Sequence, residues 1–193
     1  MNIRFVRRPQ GFTLVELLVV MAIIAVLASA GFGAGNAAIQ KARKTKALAA
    51  AVAIETAVNN FYTEYGSMPK DGSSDVTVET DKDNDFLKVL LGTETTLNTR
   101  AIRFLSAREG KGNRDGLIYS GDVVTGLYDP WGGGYKVRMD LDYDERLDFK
   151  PDGSGWQQVR LNGRRVAVWS DGADGTGQSG AGKKTDDVWT WSQ

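Results

Sequence analysis

The chain opens on a nearly unbroken apolar run. From Phe12 to Ala30, 19 residues, only Thr13, Glu16 and Ser29 are polar. At about 1.5 Å per residue, a helix of that length rises roughly 28 Å, close to the hydrocarbon core of a bilayer. Beyond it, Ala47, Ala51, Ile54, Val58, Phe61 and Tyr65 recur in steps of three and four, one stripe of a helix. Gly66 then offers a C-cap and Pro69 forbids continuation. The pattern predicts one long helix over residues 12–65. Gly31, Gly33 and Gly35 interrupt it, either as a place that unwinds on assembly or as small residues for close helix packing.

The period changes after residue 134. Tyr135, Val137, Met139, Leu141 and Tyr143 alternate with Lys136, Arg138, Asp140, Asp142 and Asp144, the signature of a half-buried strand. Val159 to Leu161 and Arg164 to Trp169 flank Asn162-Gly163 and predict a two-residue hairpin. Trp189 and Trp191 share one face of a last strand. Phe86 to Leu91 reads as a short helix stopped by Gly92, and residues 67–85 as an acidic surface loop. Residues 97–128 give no clear element. The fold class is α+β: a long N-terminal α-helix packed on a small antiparallel β-sheet.

Composition removes several function classes. There is no Cys and no His among 193 residues. Disulfides, thiolate metal sites and the commonest general base are therefore absent. No convincing acid–base pair stands in for them, so an enzyme is not expected. Basic and acidic residues number 24 each; removal of residues 1–11 takes away three arginines, leaving a slightly acidic chain with no nucleic-acid footprint.

One carboxylate, Glu16, lies inside the apolar run, where an acid costs about 3 kcal/mol even on mild insertion scales. Before the run stands a short leader, MNIRFVRRPQG, with Arg4, Arg7 and Arg8. This leader, its terminal Gly11, and G-F-T-L-V-E resemble the class III signal sequence of type IV pilins and of type II secretion pseudopilins. The resemblance implies cleavage between Gly11 and Phe12 by a prepilin peptidase, N-methylation of Phe12, and a filament-assembly role for Glu16. It divides the chain into a leader, 1–11, a transmembrane and filament-core segment, 12–35, and a globular domain, 36–193. It also implies a single pass through the inner membrane with the N-terminus cytoplasmic. The globular domain would then be extracytoplasmic. The flanking charges, Arg4, Arg7 and Arg8 against Lys41, Arg43, Lys44 and Lys46, do not fix that orientation by themselves.

Two segments of the globular part carry a finer likeness. Asp129-Pro130-Trp131-Gly132-Gly133-Gly134-Tyr135 is similar to the D-P-W-G-N-P-Y segment of the major pseudopilin of type II secretion, with Gly133 and Gly134 in place of Asn and Pro. Pro and Gly suit a tight turn there, and the aromatic residues suit anchors. Asp171-Gly-Ala-Asp174-Gly and Asp186-Asp187-Val-Trp189 are similar to that family's C-terminal loop, which binds calcium. The resemblance makes Asp171, Asp174, Asp186 and Asp187 the calcium candidates, and calcium's need for six to eight oxygens fits them. The implied partners are identical or related pilin-like subunits, the secretion and assembly machinery of the inner membrane, and lipid.

The chain holds three further patterns. Asp81-Lys-Asp83-Asn-Asp85 begins like an EF-hand loop, but Phe86 replaces the required Gly. Gly177 to Thr185 nearly fits a phosphate-binding loop, but Lys184 stands where a hydroxyl is needed, and only eight residues follow Thr185. Ala28-Ser29-Ala30 fits an ordinary secretory cut site, which would release a calcium-binding domain starting at Gly31. The expected function is a structural subunit of a type II secretion pseudopilus. The alternatives are a type IV pilus or DNA-uptake pilin, and that secreted domain.

Overall fold

The computed structural model describes residues 11–151, 157–175 and 186–191, without the side chains of residues 30–34. The chain divides into two compact units, Met1–Lys41 and Ala42–Gln193. Helix α1 runs over Leu14–Tyr65, and β1 (Val76–Glu79) and α2 (Asn84–Leu91) follow. The remaining elements are β2 (Gly116–Ser120), β3 (Val123–Tyr128), β4 (Lys136–Met139), β5 (Arg146–Phe149), β6 (Val159–Asn162), β7 (Val166–Ser170) and β8 (Val188–Trp189). The α+β class is as expected.

In the second unit, the apolar stripe of α1 is buried from Ala47 through Phe61, and from Ala51 onward it joins the main hydrophobic core. Tyr65 ends it, its hydroxyl donating to Asn98 Oδ1 at 2.8 Å. Asn98 also donates to the carbonyls of Val89 and Ile102, so one buried amide stitches the stretch that the sequence left without an element. Helix α2 stops at Gly92 as expected, with φ +76°, but starts two residues before Phe86, where Asp83, read as part of the acidic loop, caps it by accepting the Phe86 N–H.

Among the described residues the sheets are a four-stranded antiparallel one in the order β1-β4-β7-β8, and the pairs β2-β3 and β5-β6. Strand β1 corrects the expectation of a loop throughout 67–85. Its Val78 is buried, and Thr80 beyond it donates to the Leu127 carbonyl at 2.6 Å. The alternation around β4 holds for Tyr135, Val137, Met139 and Leu141, all buried. It fails at Tyr143, where φ is +60°, and at Asp140, which is buried on the face expected to be wet.

The expected hairpin across Asn162-Gly163 does not form. Strand β6 pairs with β5, and β7 lies between β4 and β8. Gly163, at φ +70°, donates its N–H to the Glu145 carbonyl instead and sends the chain from one sheet to the next. The physical reason is that β7 is buried on both faces. Val166 and Val168 join the core that contains the α1 stripe. Ala167 and Trp169 join a second core with Leu147, Phe149 and Trp191.

Candidate functional site

The described part of the N-terminal unit presents exposed apolar side chains. Leu14, Val15, Leu18, Met21, Ile24, Val26 and Leu27 are all more than half exposed, and they point all round the helix. A helix apolar on every side needs lipid or other helices around it. Among the described residues, no helix is long and apolar enough to cross a membrane. The described part of the apolar run is helical from Leu14 to Ala28, roughly 22 Å of rise, and helix geometry starts two residues later than expected.

The late start has a local cause. Thr13 Oγ1 accepts the Glu16 N–H at 3.2 Å, and Glu16 Oε2 accepts the Thr13 N–H at 2.9 Å. The Thr13 hydroxyl also donates to that carboxylate, at 2.8 Å. This is a reciprocal capping box, readable in the sequence as T-x-x-E. Gly11 and Phe12 precede it, exposed and non-helical, so the expected cut site lies just outside the cap. Arg4, Arg7 and Arg8 lie outside the described residues.

In the globular unit, Asp129 organises the turn that follows β3. Its Oδ1 accepts the N–H groups of Trp131, Gly132 and Gly133 at 2.8, 2.7 and 3.0 Å. Its Oδ2 accepts from the Ser170 hydroxyl at 2.5 Å, and Ser170 Oγ accepts from the Gly172 N–H at 3.2 Å. A relay of hydrogen bonds therefore joins residues 129–133 to residues 170–172. Burial, and then the charge of Asp129, pushes the phenol of Tyr135 well above its ordinary range. The sequence reading gave this turn to its Pro, Gly and aromatic residues and missed Asp129, whose signal was an acid at the head of a glycine run.

The relay leads into the acidic C-terminal loop. Asp174, Asp186 and Asp187 each bring a carboxylate oxygen within 4.8 Å of the others. Asp186 Oδ2 accepts the N–H groups of Ala173 and, at 3.1 Å, Asp174. Gly172, at φ +72°, lies so close to Asp186 that an added Cβ would stand 2.7 Å from its backbone. Asp187 is 1% exposed. Calcium holds oxygens at about 2.3–2.6 Å, so two ligands of one ion stand at most about 5 Å apart, and these three fit. Asp171 is not part of the group: its Oδ2 lies 2.7 Å from Lys136 Nζ at the start of β4. Residues 176–185, with most of the near phosphate-loop pattern, lie outside the described residues.

Residues 6–32 match the family model of the prokaryotic N-terminal methylation motif. Over 65 residues the chain is 35% identical to the type IV major pilin protein PilE of Neisseria gonorrhoeae, which covers 34% of this chain and 39% of PilE. No solved structure matches. The chain carries a type IV pilin-like class III signal. The chain matches well under half the length of that pilin.

Proposed function

We propose that this chain is a structural subunit of a type II secretion pseudopilus. It is cut after Gly11, N-methylated on Phe12, and held in the inner membrane by the apolar part of α1 until assembly. Copies of that helix, and those of related subunits, then supply the cover that its exposed apolar side chains need. The role is mechanical, with no catalytic step. Calcium held by Asp174, Asp186 and Asp187 closes the C-terminal loop in a chain that has no Cys to do so.

The observation that carries the secretion reading is the relay from Asp129 through Ser170 to Gly172. It ties together the two segments that resemble the major pseudopilin. The test is deletion of the gene in its host, with the culture supernatant and surface filaments compared. Loss of secreted proteins supports a pseudopilus. Normal secretion with loss of surface pili or DNA uptake transfers the chain to a pilus. A chain beginning at Gly31 in the medium overturns both.

A further inference from the structure

We propose that the β4–β5 turn is a second calcium site, separate from the C-terminal loop. The turn reads Asp140-Leu141-Asp142-Tyr143-Asp144-Glu145, with an acid at every second position. Tyr143 and Glu145 both take φ +60°, folding the turn back on itself. Asp75, just before β1, comes alongside. Asp75, Asp140 and Asp142 each offer a carboxylate oxygen, and the three lie within 4.8 Å of one another.

Asp140 points to an occupant. It is 0% exposed. Its Oδ2 accepts the Glu145 N–H at 2.9 Å, but its Oδ1 is buried and accepts no hydrogen bond among the described residues. A buried carboxylate oxygen without a donor is costly unless a cation or proton fills the gap. The surroundings do not supply enough positive charge. Arg138 Nη2 reaches Asp75 Oδ2 at 3.5 Å, and the other Asp75 oxygen accepts the Leu141 N–H. Arg165 pairs with Glu145, so among the described residues one guanidinium faces three carboxylates.

Calcium suits this arrangement better than magnesium. It accepts six to eight oxygens in flexible geometry, including carboxylates from separate segments, whereas magnesium keeps several waters and demands a near-octahedral site. Strand β4 then has an acidic site near each end: Lys136 and Asp171 adjoin the C-terminal loop, and Met139 runs into the β4–β5 turn.

The test counts calcium bound per full-length chain in detergent micelles, by equilibrium dialysis. It uses the wild type, Asp142→Asn, Asp187→Asn and the double variant. Near-UV circular dichroism verifies that each is folded. Asp142→Asn should bind one calcium fewer than its parent in both the wild-type and the Asp187→Asn backgrounds, and millimolar magnesium should not restore it. Loss of the ion in the Asp187→Asn background supports the β4–β5 site even if the C-terminal loop binds nothing. An unchanged count on Asp142→Asn in both backgrounds overturns it. Should Asp142→Asn not fold, Asp75→Asn answers the same question: one calcium lost supports the site, and an unchanged count rejects it.

Discussion

The Ser170 hydroxyl donates to Asp129 Oδ2 at 2.5 Å with both residues buried, pinning the end of β7 to the turn after β3. Four donors converge on one carboxylate, three of them the backbone N–H groups of Trp131, Gly132 and Gly133. Hydrogen bonds to a charged group contribute about 1.5–3 kcal/mol each, though not additively. Asp129→Ala should therefore lower unfolding free energy by at least about 3 kcal/mol, and Asp129→Asn by less. Urea unfolding of the full chain, followed by tryptophan fluorescence, reads both. A loss below about 1 kcal/mol for the alanine variant would mean that water replaces the carboxylate.

Gly134 stands where the resembling segment has proline, and the structure supplies a reason. A Cβ at Gly134 would lie 2.0 Å from Asp81 Oδ1. Gly134→Ala should cost about 1–3 kcal/mol through overpacking. In an Asp81→Ala background most of that cost should vanish. Equal costs in both backgrounds would place the strain in the backbone rather than against Asp81.

Processing is checked by mass. The mature chain should begin at Phe12 and carry one N-methyl group, found by intact-mass measurement and by the N-terminal peptide. A mature chain that retains the leader would show that the peptidase does not act on Gly11-Phe12.

We propose two separable roles for Glu16. Through Thr13 it closes the helix cap. After cleavage it is the fifth residue, about 6 Å along the helix from a basic amine. A neighbour's amine is the partner that would set subunit register, even where desolvation cancels the net gain. Glu16→Leu should be cleaved normally yet stay out of filaments as the sole copy, whereas Thr13→Ala should still assemble. Shear fractionation with cleavage read on the same blot distinguishes them. Equal failure of both variants would assign the effect to the cap alone.

Calcium removal should lower the melting temperature of the full chain. An ion at 100 times its dissociation constant stabilises by about 2.7 kcal/mol. Asp174→Ala should shrink the drop caused by chelator, and the remainder belongs to the β4–β5 turn. Identical chelator-induced drops in wild type and Asp174→Ala would leave the C-terminal loop as a plain turn.

The sequence made the helix and the short capped α2 legible because their signals are local. Phe61 and Tyr65 lie one turn apart, and Gly92 follows Leu91 directly. The hairpin across Asn162-Gly163 failed for the opposite reason. The partners of β7 come from residues 136–139 and 188–189, and no local pattern announces them. The four consecutive buried residues Val166 to Trp169 were the available sign, since a one-sided hairpin strand alternates. At the site, Asp174, Asp186 and Asp187 follow from the resemblance to the pseudopilin C-terminal loop, while Asp171 belongs with Lys136, a pairing visible only once β4 is placed. The carboxylates of Asp75 and Asp140 are 65 positions apart and meet only through the pairing of β1 with β4.

Strand β8 begins immediately after Asp186 and Asp187 and pairs Trp189 with Trp169. Trp169 stacks on Phe149 at 5.3 Å and meets Trp191 edge-on at 5.9 Å. The indole packing is thus covalently one step from the acidic loop. The chain thereby carries its own optical gauge: emission wavelength and quenching should report calcium binding beside Trp189 without any attached dye, in isolated chains and in the proposed filament alike.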